Sequence, residues 1–207
     1  MPDRRDHPSF HNVAAAWERE FPDDALDLFV LSAALMRIGQ TIERDLFDQA
    51  RRLFGITGGE ILLLFALRRQ GAPYIARPRT LTRMLLITSG AVTKQIDRLE
   101  TKGLVRRSPD TDSLNGQLVS LTDAGLALAE RAVRHLADHS IGCEAAARLP
   151  VQKVRAGSGF AQALLDEFEA IEAGDTPGPV AARPAAAPPL QPSAGRRLRR
   201  GGTRRTA

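Results

Sequence analysis

The chain has 207 residues, 43% apolar and 26% charged, which is the balance of an ordinary globular protein with room for one domain and appendages. No apolar run reaches the roughly 18–20 residues of a membrane span, no secretory pattern follows the mixed charges of residues 1–6, and a lone cysteine, Cys143, excludes an internal disulfide and fits the cytoplasm. The net charge of +5 is unevenly spread: residues 174–207 carry +6, residues 68–107 carry +8, and the segments 1–67 and 108–173 carry −4 and −5, so a basic stretch sits inside an acidic scaffold, as a surface meeting an anionic polymer requires.

Residues 1–23 form a polar N-terminal extension with Trp17 and Phe21 as anchors. Pro22-Asp23-Asp24 reads as a helix start, with acids in the first turn. Leu28, Leu31, Leu35, Ile38, Ile42 and Leu46 then recur at spacings of three and four, one stripe of a helix over residues 24–53. That length predicts packing on a second copy as well as on the chain's own core. Thr57-Gly58-Gly59-Glu60 is a capping box; the apolar residues 61–67 follow as a central helix, closed by Arg68, Arg69 and Gly71. Residues 72–78, with two prolines, read as a loop.

Residues 79–86 predict a short helix using Leu81, Met84 and Leu85. Thr88-Ser89-Gly90 starts the next, capped by Thr88, buried through Val92, Ile96 and Leu99, and stopped at Gly103. Two short helices across a tight polar turn signal a helix-turn-helix. Residues 104–107 and 117–121 read as strands around a polar tip, a β-hairpin wing. Thr122-Asp123 caps a further helix with Leu126, Ala129, Val133 and Leu136 on its buried side; after Gly142 and Pro150 a last helix uses Leu164, Leu165, Phe168 and Ile171, its first turns weakened by Gly157 and Gly159. Residues 173–207 are a Pro/Ala/Arg-rich basic tail with too little apolar surface to fold.

On the residues 85–100 (Leu-Leu-Ile-Thr-Ser-Gly-Ala-Val-Thr-Lys-Gln-Ile-Asp-Arg-Leu-Glu), on Gly103-Leu104-Val105-Arg106-Arg107 and on Val119-Ser120-Leu121-Thr122-Asp123-Ala124-Gly125, the chain resembles the MarR family of winged helix-turn-helix regulators. The resemblance spans residues 24–172, with a DNA-binding part at 57–121. It implies a mostly α fold with a small β wing, a homodimer joined through its terminal helices, a pseudo-palindromic duplex DNA target, and repression relieved by a small aromatic or anionic ligand. The family's Asp-Arg-Arg wing tip is replaced by Ser113-Leu114-Asn115.

In such a fold the recognition helix reads base edges from its N-terminal turns. The outward candidates are Ser89, Thr93, Lys94 and Gln95, with Lys94 suited to guanine and Gln95 to adenine. Thr88 and Gly90 place free N–H groups at the helix start, and Arg79, Thr80, Arg83, Arg98, Arg106 and Arg107 are phosphate candidates. Trp17, Asp48 and Arg83 resemble the ligand set of the family's urate-responsive branch. His135, His139 and Cys143 fall at i, i+4 and i+8, but Gly142 is expected to end the helix first, and no closed metal-ligand set results. No cofactor loop and no catalytic constellation is present in the sequence. Two further readings stand beside DNA-specific regulation: a winged-helix interaction module, and non-specific nucleic-acid binding led by the tail.

Overall fold

The computed structural model describes residues 15–17, 19–21, 26–111 and 116–174. The expected helix start at Pro22–Asp24, the wing-tip residues Ser113, Leu114 and Asn115, and the arginine tail lie outside the described residues.

From Asp27 onward, seven helices and three short strands follow in order among the described residues. Helix α1, Asp27–Phe54, is the long helix expected from the leucine–isoleucine stripe. Gly55 ends it in the left-handed region (φ 66°), its N–H donating to the Ala50 carbonyl. Yet only Gln49 and Ala50 are buried, and Leu28, Ile38 and Ile42 stay exposed. The stripe therefore exists, but among the described residues full burial is confined to the C-terminal end of the helix, with Leu31, Leu35 and Leu46 half-buried.

Helix α2, Gly58–Arg69, is central: Ile61, Leu63, Leu64 and Leu67 are fully buried, and it packs on α1 and on the three helices described next. Its capping box is complete, the Thr57 hydroxyl accepting from Glu60 N–H and the Glu60 carboxylate from Thr57 N–H. Gly58 is required because a Cβ there would enter the Phe47 ring. The expected loop over 72–78 contains a strand, β1 (Ile75–Ala76), which two residues are too few to announce by periodicity.

Helix α3 is Pro78–Leu85, one residue earlier than expected at each end. Proline is free at the first helical position, where its missing N–H has no partner to lose, and Leu86 has already left the helix (φ 52°). Helix α4, Ser89–Thr101, is capped by the Thr88 hydroxyl and anchored by buried Val92, Ile96 and Leu99. Strands β2 (Val105–Pro109) and β3 (Gln117–Leu121) pair antiparallel, Val105 opposite Leu121 and Pro109 opposite Gln117. Strand β1 adds to the other edge of β3, giving the order β1-β3-β2.

Helix α5 is Asp123–His139, capped by Thr122. Gly125 lies against the Leu104 carbonyl, where a Cβ would collide with backbone. Ala129 and Ala132 make the buried seam, and Val133, expected on it, is exposed. The chain then breaks at Ser140, which caps α6, Ile141–Ala147; Gly142 and Cys143 sit inside that helix, so Gly142 does not terminate α5. Helix α7, Val151–Glu172, runs unbroken through Gly157 and Gly159 and buries none of its residues. No helix among the described residues is long and apolar enough to cross a membrane.

Glu60 is a buried acid with a cation at its side: Lys102 Nζ lies 2.9 Å from its Oε2 and 3.4 Å from the Gly55 carbonyl. Burial works against its charge, but the Thr57 N–H and Lys102 outweigh it and hold the carboxyl below its ordinary value of 4.5. The folded chain thus binds fewer protons here than the unfolded chain, so this stabilisation is complete above pH 4.5 and is lost as pH falls through the lowered value. We expect Glu60→Ala to destabilise the protein by about 3 kcal/mol, and Glu60→Gln to flatten the acid limb of a urea-denaturation series run from about pH 7 to about pH 3. An unchanged acid limb would show that other carboxylates govern it.

Candidate nucleic-acid interface

At 3.6 residues per turn, the buried Val92, Ile96 and Leu99 leave Gly90, Lys94, Asp97 and Thr101 on the opposite side of α4, with Thr93 and Arg98 flanking them. Thr88 caps the helix through Ala91 N–H, and the Thr93 hydroxyl donates to the Ser89 carbonyl. Ser89, Gly90, Thr93, Lys94 and Arg98 are all exposed. Helix α3 adds exposed Arg79 and Arg83 and half-buried Thr80. Among the described residues, none of Arg79, Arg83, Lys94 and Arg98 has an acidic partner. Four unneutralised cations on one helix pair are what a phosphate backbone attracts.

Three residues of the expected set are engaged otherwise. Gln95 stands three after Val92 and four before Leu99, so it shares their side of the helix. It is half-buried, its amide lies over Gly59 at the start of α2, and its Oε1 is buried with no partner. It does not face outward beside Lys94 as expected. Arg107 is clamped by Asp97 and Glu100 of α4. Burial opposes its charge, but its hydrogen bonds to Asp97 and then to Glu100 hold the guanidinium pKa above the ordinary value. It braces the wing against α4 and neutralises the acids on the helix's outer side. Arg106 is exposed, its Nε donating to Ser120 Oγ at 3.1 Å.

A second brace was not legible in the sequence. Arg77, just before α3, donates from Nε to Asp110 Oδ2 at 2.6 Å and from a terminal nitrogen to Oδ1 at 3.3 Å. Asp110 is buried at the far end of β2, and its N–H donates to the Gly116 carbonyl. Together the two arginines tie the middle of the first wing strand and the residue just past its end to the helix-turn-helix. Their partners lie 7, 10 and 33 positions away, separations that carry no periodic signal.

Trp17 stacks on Phe21 at 5.7 Å and meets Phe29 edge-on at 5.4 Å. Asp48 and Arg83 are exposed on α1 and α3. Among the described residues, no hydrogen bond or ion pair joins these three. His135 and His139 stack ring on ring at 4.5 Å, and His135 Nε2 lies 2.9 Å from Gln49 Oε1, while Cys143 stands exposed on the next helix. Among the described residues, no three His, Cys, Asp or Glu side chains are grouped to hold a metal.

Comparison with known proteins gives one consistent picture. The profile of the MarR family matches residues 54–113. The HTH-type transcriptional regulator PecS of Dickeya dadantii is 32% identical over 122 residues, 59% of this chain and 73% of that one. The multiple antibiotic resistance protein MarR of Escherichia coli is 41% identical over 54 residues, 26% of this chain and 38% of its own length. In three dimensions, a crystal structure of a MarR variant from E. coli complexed with operator DNA aligns with a TM-score of 0.56 and 26% identity, covering 69% of this chain and 99% of that chain.

A Cβ on Gly90 would meet open space, so no packing within the chain demands glycine at the second position of α4. Gly90→Ala is therefore expected to raise stability by up to about 1 kcal/mol in thermal unfolding, while DNA affinity falls about tenfold because the phosphate can no longer approach the helix start closely. Arg83→Ala and Arg98→Ala should each lower the slope of log affinity against log salt by about 0.9 for every phosphate left unneutralised. A variant that weakens binding with its slope intact would show its arginine to be no phosphate ligand.

Proposed function

The chain belongs to the MarR family, and from that premise we propose that it is a homodimeric, sequence-specific duplex-DNA-binding transcriptional regulator acting in the cytoplasm, a repressor released by a small aromatic or anionic ligand. The carrying observation is the α3–α4 surface: four exposed cations, unpaired among the described residues, with Arg79 and Arg83 on α3, Lys94 in the first half of α4 and Arg98 in its last turn, on a helix whose other side is anchored by buried Val92, Ile96 and Leu99. Its work is binding rather than catalysis. Lys94, Ser89 and Thr93 read base edges, Arg79, Arg83 and Arg98 fix the phosphates with Thr80, Thr88 and Gly90, and Arg106 reaches the backbone from the base of the wing. Arg107 acts indirectly, by holding the wing at its angle to α4.

The dimer reading is supported by the apolar surface that one chain leaves open. Phe160, Leu165, Phe168 and Ile171 of α7 and Leu28, Phe29, Met36 and Ile38 of α1 are exposed. Among the described residues, α7 shares no substantial interface with any other element of its own chain. An amphipathic helix of 22 residues holds its form in water by packing its apolar face, and the symmetric solution is a second copy. Two recognition helices then meet successive major grooves roughly 34–36 Å apart, which calls for a pseudo-palindromic site.

Fluorescence anisotropy with DNA from immediately upstream of the protein's own gene, against scrambled DNA and at several salt concentrations, is the direct test. A preference of about a thousandfold or more is expected. Equal affinity falling steeply with salt would favour the interaction-module or tail-led readings. The double variant Leu165→Asp, Phe168→Asp should sediment as a monomer and lose about a hundredfold or more in specific affinity, because the second half-site is no longer delivered at high effective concentration.

A further inference from the structure

The turn between α3 and α4 ends α3 in a Schellman motif. Ile87 N–H donates to the Thr82 carbonyl and Leu86 N–H to the Arg83 carbonyl, both at 3.4 Å. The residue at the heart of that motif, Leu86, adopts φ 52° and ψ 39°. Glycine is the usual residue there because an L side chain is strained in the left-handed region. Leu86 gains nothing in the fold in return: its flanking residues Leu85 and Ile87 pack against the core, whereas Leu86 is 78% exposed, more than any other large apolar side chain among the described residues. Strain at an exposed apolar residue is the kind of local conflict that collects at functional positions.

The surroundings say what the side chain meets. Arg83, Thr88 and Ser89 beside it are polar or charged. A protein partner or a second copy would ask for a contiguous exposed apolar patch, whereas between Leu53 and Val133 Leu86 is the one large apolar side chain that is exposed among the described residues. The major groove offers an isolated apolar group of matching size, the C5 methyl of thymine, and the turn enters that groove next to the N-terminal residues of α4. We propose that Leu86 is a specificity-determining residue that packs on a thymine methyl at the edge of each half-site. This rests on the DNA-binding reading given above.

The test measures binding of upstream DNA in which single thymines are replaced by uracil, removing one methyl at a time, with the full-length dimer and three variants. For the unaltered protein, one thymine per half-site should lose about fourfold in affinity, the worth of one buried methyl-sized group. Leu86→Gly and Leu86→Asn, both suited to the left-handed turn, should unfold at the same or a higher temperature, bind about tenfold more weakly, and be indifferent to that uracil. Leu86→Met should restore both affinity and methyl sensitivity. The inference is overturned if either of the first two variants binds as tightly as the parent, or if its loss is the same on every uracil probe and leaves methyl sensitivity intact. Absence of any preference for upstream over scrambled DNA in the parent protein would instead defeat the DNA reading, and this inference with it.

Discussion

The carboxylate of Glu60 is the point on which the arrangement turns. Buried at the start of the central helix, it accepts from the Thr57 N–H and from Lys102, and Lys102 also reaches the Gly55 carbonyl. One charge thereby joins the end of α1, the beginning of α2 and the end of α4. An ionised carboxylate out of water is tolerated only with such partners. The junction sets where the recognition helix emerges from the core and links that helix to the long helix whose apolar side is left open.

The charges of the basic segment divide into two working groups. Arg77 and Arg107 are paired with Asp110 and with Asp97 and Glu100, and they hold β2 at its middle and just past its end against the helices. Lys102 serves Glu60 in the same way. Arg79, Arg83, Lys94 and Arg98 remain unpaired among the described residues and are exposed. The first group gives shape; the second is left available for the phosphate contacts proposed above. A phosphate lattice rewards such a division, since cations held at fixed spacing lose less freedom on binding than flexible ones.

The apolar face follows a similar division. What α2 buries in the chain's own core is matched by what α1 and α7 leave exposed. A helix-turn-helix presented alone reads a few base pairs, whereas two presented at groove spacing read a longer palindrome. The long terminal helices and the recognition surface are in that sense one device.

Much of this was written in local sequence. The capping box at Thr57–Glu60, the caps at Thr88 and Thr122, the glycine stop at Gly103 and the two wing strands all depend on neighbours within a few residues, and the structure has them there, the first strand running Val105–Pro109 instead of 104–107. Only tertiary structure decided the rest. Strand β1 exists because β3 offers it an edge, not because two residues favour extension. On α5, Ala132 is fully buried and Val133 is exposed, a choice between adjacent positions that a three-and-four spacing does not make by itself. Gln95 turned from the outward set because its side of α4 faces Gly59, a residue distant in sequence that presents no side chain. Arg107, indistinguishable from its neighbour in sequence, became a brace because the hairpin returns it to the acids of α4. Periodicity specifies which side of an element is apolar; which distant residue meets it is a property of the packed chain.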